Sequence, residues 1–363
     1  MSKFDELVAE LCPDGVEYKN LSQVLTIKNG KDYKSFDKGD VPVYGTGGIM
    51  TYIDQAVFEK PSVLIPRKGS LDKLYYVDVP FWTVDTIFYT DIRTEVIEPK
   101  YVFYYLQAQH LERLNTAGGV PSLTQAVLNT IKIPVPPLPV QQEIVRILDN
   151  FTELTAELTA ELTARKKQYE YYRDFLLTFK YGVPSVSLES ICDIFTGGEA
   201  PEKCIKGAFG NDDYPYPIWA NGKEVYGFTD TYKINKDAVV ISSIGANTGA
   251  VFYRKAYFTP IIRLKVIIPK VDYVNTRYLF YAVSTAKFSS KSGSVPNMNA
   301  ADIKKIEVPI PPIEEQERIV AILDRFDDLC NDLSIGLPAE IEARRKQYEY
   351  YRDKLLTFKG ASA

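Results

Sequence analysis

Three stretches of this 363-residue chain hold residue types that reactions need, and none holds them at a working spacing. Pro13-Asp14-Gly15-Val16-Glu17-Tyr18-Lys19 resembles a PD…ExK nuclease pattern, whose acids grip a metal across a strand pair. Here the acids are three residues apart in one turn. Tyr44-Gly45-Thr46-Gly47-Gly48 and Gly245-Ala246-Asn247-Thr248-Gly249 are glycine-rich but lack the Walker lysine and hydroxyl and a full G-x-G-x-x-G, so strand-connecting turns are expected there. The single histidine, His110, falls in a predicted helix with no carboxylate or second histidine at ligand spacing, which removes His-based acid–base schemes and His-rich metal sites. Cys12, Cys192, Cys204 and Cys330 lie far apart with no C-x-x-C pair and read as reduced, structural thiols. No metal site, cofactor site or catalytic centre is expected in this chain.

The elements that would position such residues point elsewhere. With 45% hydrophobic and 25% charged residues, the chain suits two or three soluble globular domains. No apolar run reaches the length of a membrane span, and the start, MSKFDELVAEL, is amphipathic rather than signal-like, so a cytoplasmic location is expected. A net charge of −4 gives no global attraction to nucleic acid, so any such binding would rest on local basic patches.

The organising feature is a tandem repeat. Residues 133–151, IPVPPLPVQQEIVRILDNF, match residues 308–326, VPIPPIEEQERIVAILDRF, at an offset of 175. Gly119-Val120-Pro121-Ser122-Leu123 and Ser294-Val295-Pro296-Asn297-Met298 keep that offset, as do residues 41–48 and 216–223. KQYEYYRD occurs twice, at Lys167–Asp174 and Lys346–Asp353. Each half is a globular head, a Pro-rich joint that cannot be helical, and a helix. Strands are expected at 62–65, 73–79 and 238–242, and head helices at 100–114 and 276–287. Leu148, Phe151, Thr155, Leu158, Leu162, Arg165, Tyr169, Tyr172, Leu176 and Phe179 follow one another at steps of three and four, a heptad seam along a continuous central helix. The distal copy carries four extra residues with Gly336 and Pro338 among them, which predicts a break around Ser334 to Pro338.

The halves diverge unevenly. The helices keep Lys167, Glu170, Arg173 and Asp174 identical to Lys346, Glu349, Arg352 and Asp353, on faces that the seam leaves exposed, whereas the heads retain only turn and core positions. That pattern predicts two equivalent docking surfaces for two copies of one partner, and two heads that recognise different things. Arg165, Lys166, Arg344 and Arg345, flanked by Glu161, Glu340 and Glu342, read as helix or partner ion pairs.

The Pro-rich joint followed by EQERIVAILD, the TAEL repeats and the ending RKQYEYYRDKLLTF closely resemble the specificity subunit of type I restriction-modification systems, over nearly the whole chain. The resemblance implies an α+β fold: two mixed α/β target-recognition domains separated by two long antiparallel coiled-coil helices, with a pseudo-twofold internal repeat. The corresponding boundaries are 1–137, 138–181, 182–312 and 313–363. It implies that each head reads one half of a bipartite double-stranded DNA target, and that two methyltransferase subunits and restriction (motor-nuclease) subunits dock on the chain. S-adenosylmethionine, ATP and Mg are then expected on those partners, with no cofactor here. Consistently, the chain lacks the D/N-P-P-Y/F tetrapeptide with which adenine methyltransferases grip a flipped base.

Base readout needs Arg, Lys, Asn or Gln on elements that enter a groove, and phosphate contacts need cations, hydroxyls and amides. Head one offers Thr46, Arg67, Lys68, Ser70 and Lys73, then Asn115, Thr116, Ser122 and Gln125. Head two offers Asn221, Lys223, Ser242, Ser243, Asn247 and Arg254, then Lys287, Lys291, Ser292, Asn297 and Asn299. The rival reading is a non-catalytic coiled-coil adaptor whose heads bind protein. One TAEL unit spans about 6 Å of helix, or about one to two base pairs of DNA, so the central helix reads as a ruler.

Overall fold

The computed structural model describes residues 2–115, 119–179, 182–286, 298–331 and 335–361. The chain divides into two compact units, Met1–Thr159 with Glu340–Ala363, and Ala160–Ala339. Unit one therefore contains head one with the second KQYEYYRD, and unit two contains head two with the first.

In head one, a four-stranded antiparallel sheet runs in the order Leu25–Asn29, Ile87–Ile92, Ser62–Pro66, Tyr75–Val77. A three-stranded sheet orders Gly48–Ile53, Val41–Gly45 and Trp82–Thr83. Ser62–Pro66 carries an unbroken apolar run, Val63, Leu64 and Ile65, because both its faces are covered, and all three are fully buried. One face meets Tyr101, Val102 and Leu106 of helix Pro99–Ala108, and the core continues into Val140, Ile144 and Leu148 of the central helix. Head two repeats the scheme. Its main sheet runs Cys192–Thr196, Lys265–Pro269, Ala238–Ile241, Val251–Arg254, beneath helix Thr276–Ser284, and a smaller sheet orders Cys204–Ile205, Gly227–Thr229, Tyr216–Trp219, Thr259–Pro260.

The expected strands are present, and both head helices are shorter than their sequence patterns, the second ending at Ser284 and the expected end at Lys287 lying outside the described residues. Pro99–Ala108 stops before His110, whose left-handed backbone (φ 50°) reverses the chain into a 3-10 turn at Leu111–Leu114. His110 thus sits between two helices rather than inside one. Both joints also yield their last residues to the following helix. Leu138 and Pro139 lie in the first turn of Leu138–Leu176, where a proline forfeits no hydrogen bond.

The central helix is continuous over its 39 residues. Within 151–169, Phe151, Thr155, Leu158, Leu162, Arg165 and Tyr169 are half-buried and only Gln168 joins them, as the seam requires. The distal copy is two helices, Ile313–Asn331 and Leu337–Leu355, so the predicted break falls between them; Ser334 itself lies outside the described residues.

A buried amide anchors each helix to its head. Gln141 accepts from the Glu98 N–H (2.8 Å) and donates to the Val96 and Pro136 carbonyls (3.1 and 2.6 Å). Gln316 does the same with the Asn275 N–H (2.8 Å) and the Tyr273 and Pro311 carbonyls (2.9 and 2.8 Å). A buried tyrosine completes each anchor: Tyr101 donates to the Pro134 carbonyl and Tyr278 to that of Pro309. Among the described residues, no helix is long and apolar enough to cross a membrane.

Candidate nucleic-acid interface

Each head gathers four turns at one edge. In head one they follow Val41–Gly45, follow Ser62–Pro66, precede Ile87–Ile92 and include Pro121–Leu123. Thr46 Oγ1 donates to the carbonyls of Lys68 and Thr86 (3.1 and 3.2 Å), and the Arg67 N–H donates to the Thr86 carbonyl (2.9 Å). The fourth segment joins through Gly69 N to Pro121 O (3.0 Å) and Leu123 N to Arg67 O (2.9 Å), and the Asn115 side chain accepts from the Ser122 N–H (3.0 Å). Gly69 is left-handed (φ 89°), which lets the backbone fold back beside Thr46. The structure therefore brings together Thr46, Arg67, Lys68, Ser122 and Asn115. Ser70 and Lys73 continue the same turn as exposed side chains, and Gln125 opens a short helix capped by Thr124.

Head two reaches the same arrangement with other groups. The Asn221 amide donates to the Ile262 carbonyl (2.5 Å) and accepts from the Ser243 N–H (2.8 Å), while Asn247 Nδ2 donates to the Asn221 carbonyl (3.3 Å). Ser242 Oγ donates to the Asn221 carbonyl (3.0 Å), Ser243 Oγ to that of Arg263 (2.7 Å), and Met298 N to that of Ser243 (2.9 Å). Ser242 and Ser243 are buried, so their hydroxyls hold the edge from beneath. Lys223 and Asn247 are exposed on it.

Three sequence candidates also make contacts within their own head. Arg254 lies with its guanidinium 3.6 Å from the Trp219 ring centroid and 4.8 Å from that of Phe252, donating to the Gly222 and Lys223 carbonyls (3.2 and 3.1 Å). Burial pushes its pKa down to about 10, with Glu224 opposing, and its Nε is buried without a partner. It carries the turn that presents Lys223. Asn299 caps helix Ala300–Lys304, accepting from the Asp302 N–H, and Arg67 donates to the Asp85 carbonyl (3.4 Å) over Phe88. Thr116, Lys287, Lys291, Ser292 and Asn297 lie outside the described residues.

An open cleft adjoins each edge. That of head one, about 780 Å³, is lined by Tyr33, Lys34, Thr46, Met50 and Thr86; that of head two, about 440 Å³, by Thr196, Gly198, Lys233 and Lys236. Sequence reasoning passed over Lys34, Lys233 and Arg263, because no glycine lies within two residues of any of them to mark a turn.

The helical octapeptides repeat their geometry too. Tyr351 stacks on Phe151 in unit one (5.5 Å, 23°), and Tyr172 on Phe326 in unit two (5.7 Å, 25°). Arg173 and Arg352 are half-buried, each with two nitrogens on Oδ1 of the next residue, Asp174 or Asp353, and each over a tyrosine ring, Tyr169 or Tyr348. Lys167, Glu170, Asp174, Lys346, Glu349 and Asp353 are exposed. So are Tyr171 (65%) and Tyr350 (63%), an identical aromatic in both copies that the sequence candidates omitted. The expected ion pairs form: Arg165–Glu161, Arg344–Glu340 and Lys346–Glu342.

The profile of the type I restriction modification DNA specificity domain matches the chain twice, at residues 13–165 and 182–343. A putative type I restriction enzyme specificity subunit of Haemophilus influenzae is 31% identical, covering 94% of this chain and 96% of its own. The EcoR124I/EcoR124II specificity subunit of Escherichia coli is 36% identical over 71% of this chain and 70% of its own. The crystal structure of a type I restriction-modification S subunit from M. genitalium superposes with a TM-score of 0.67 at 15% identity, over 94% of this chain and 96% of that one.

Proposed function

The chain belongs to the family of type I restriction-modification DNA specificity subunits, and on that premise we propose how its parts divide the work. Each head reads one half of a bipartite double-stranded DNA target through its four-turn edge. Phosphate contacts come from the exposed cations Lys68, Lys73 and Lys223, with Lys291 proposed in the same role, and base contacts from Arg67, Asn247 and their neighbours, on turns that the Asn115 and Asn221 side chains hold. The helices supply two docking surfaces for two methyltransferase subunits, around Lys167–Asp174 and Lys346–Asp353. Restriction subunits join that complex. The chain recognises and scaffolds, and methyl transfer and cleavage, with S-adenosylmethionine, ATP and Mg, belong to the partners, in the cytoplasm.

The observation that carries this reading is the edge itself: one backbone arrangement is built twice, on different side chains, whereas the octapeptides are built twice on the same ones. Selection from random duplex pools, using the full chain with its methyltransferase partner, should enrich a motif of two fixed halves around an unspecified spacer. Enrichment of no split motif sinks the proposal. The central helix acts as the ruler, so deleting Thr155–Leu158, about 6 Å of helix, should shorten the spacer by about one to two base pairs and leave both halves unchanged. An unaltered spacer refutes that part alone.

A further inference from the structure

We propose that Arg263 is the side chain with which head two reads a guanine, and that the left-handed backbone of Ile262 and Arg263 is the device that aims it. The proposal rests on the reading that the heads bind DNA.

The segment Thr259-Pro260-Ile261-Ile262-Arg263-Leu264-Lys265 contains no Gly, Asn or Asp, the residues that take a left-handed turn easily. Ile262 nevertheless has φ 51° and Arg263 φ 60°. A β-branched residue is a genuine outlier there, and two in succession need an external hold. Three distant segments supply it. Ile262 N and Arg263 N donate to the carbonyls of Gly198 and Gly197 (2.8 and 3.1 Å), the Asn221 amide donates to the Ile262 carbonyl (2.5 Å), and Ser243 Oγ to that of Arg263 (2.7 Å). Gly197 admits no larger residue, since a Cβ would come within 2.8 Å of Ile261 N.

Core packing does not account for the strain, because Ile262 is 44% exposed and Arg263 is exposed as well. Unlike Arg254 and Arg277, Arg263 has a guanidinium with no hydrogen bond, ion pair or ring contact among the described residues. Among the described residues, none of its five donors is taken.

The other head makes the same point by contrast. Extending the pairs Ile65–Phe88 and Ile241–Lys265 places Arg67 opposite Thr86, and Ser243 opposite Arg263. Each edge thus has one arginine in the same step of the same strand pair, on opposite strands. Thr86 keeps an ordinary backbone, and only the head whose arginine sits on the second strand has the strained turn. A cation that merely neutralises phosphate needs no such aiming, whereas the two-pronged contact to guanine O6 and N7 does.

The test begins with the split motif of the complex of full chain and methyltransferase partner. In wild type, 7-deazaguanine at one guanine of the head-two half-site should weaken binding roughly 5-fold or more, and elsewhere in the motif much less. This arm needs no variant to fold. Arg263→Ala should make that position degenerate, leave the other half-site unchanged and abolish the 7-deazaguanine effect, and Arg263→Lys should not restore it. A head-two half-site without guanine, or discrimination that survives Arg263→Ala, overturns the inference. So does a variant that binds every sequence evenly more weakly with a flatter salt dependence, the signature of a phosphate contact. Enrichment of no split motif is a separate result, which removes the DNA reading and this inference with it.

Discussion

Head one closes its edge with a hydroxyl and head two with an amide. Thr46 Oγ1 ties the second and third turns through the Lys68 and Thr86 carbonyls, and Asn221 ties the corresponding turns through Ile262 O and Ser243 N. At the joints beneath the edges the two heads agree: Gln141 and Gln316 make the same three bonds, and Tyr101 and Tyr278 the same one. Divergence therefore grades from the helices outward. A frame that satisfies its own backbone groups leaves the edge free to change side chains, because no edge side chain is needed to complete the fold below it.

That comparison breaks first at the anchors. Replacing Gln141 by Ala strands one buried carbonyl, that of Pro136, with a part-buried N–H and a part-buried carbonyl, and Gln316→Ala strands their counterparts, so each should cost about 1–3 kcal/mol. Urea unfolding of both variants should give losses of similar size. If one head tolerates the change at under half the cost of the other, the frames are not equivalent.

A second pair sharpens the comparison by differing. In unit two, Arg277 donates to Asp324 (2.7 Å), Asp327 (3.0 Å) and the Tyr281 hydroxyl (3.1 Å) and lies among the rings of Tyr253, Phe280 and Tyr281. Burial opposes its charge, yet Asp324 and its neighbours outweigh that and raise its pKa. At the matching place in unit one Lys100 donates to Asp149 (2.8 Å), which also accepts from the Tyr104 hydroxyl (2.5 Å), and the Lys100 side chain lies by the Tyr76 ring and is 35% exposed. Arg277→Ala should cost about 2–3 kcal/mol, and Lys100→Ala below about 1 kcal/mol, by the same urea measurement. Equal losses would show that the arginine cluster adds nothing to the lysine pair.

Acid separates the units further. Glu143, buried in unit one, accepts from Arg146 and Lys3, which together override its burial and hold its pKa down at about 2. A carboxylate depressed in the folded state contributes stability that is complete above its ordinary value near 4.5 and disappears as pH falls toward 2. Both partners are more than half exposed, so about 1–2 kcal/mol is expected. Glu143→Gln should remove that part of the acid sensitivity, seen as a flatter dependence of Tm on pH below 4.5. The more exposed Glu315–Arg318 pair of unit two should give a smaller change.

The helices and the duplication were legible because identity and a period of three and four residues are written in the chain itself. The edge turns were legible where glycine marks them, at Gly69 and Gly245, both left-handed. Gln141 and Gln316 stood at matching places in apolar runs but carried no signal of what they bind, since two of the three partners of each lie more than forty residues upstream. Ile262 and Arg263 were illegible for a stronger reason. Their conformation is imposed by Gly197, Gly198, Asn221 and Ser243 against local propensity. Arg254 likewise looks like a free cation until Trp219 and Phe252 are seen around it.

The smallest expected effect on stability concerns the part that diverged least. Tyr171 and Tyr350 are identical, and each is almost two-thirds exposed. A side chain that contributes so little to its own unit is a surface substitution, and Tyr→Ala at either position should change unfolding free energy by no more than about 0.5 kcal/mol. The central copy should lie at the larger end, because Tyr171 also stacks on Phe175 (6.1 Å, 9°), where the distal copy has Lys354. If the octapeptides are docking surfaces, the same substitutions should weaken binding of methyltransferase subunits at both copies while the split motif stays as it was. Titrating that partner onto each single variant and onto the double variant checks this. Loss at one copy only would make the two surfaces unlike, and no loss at either would mean that the shared aromatic is not what the partner grips.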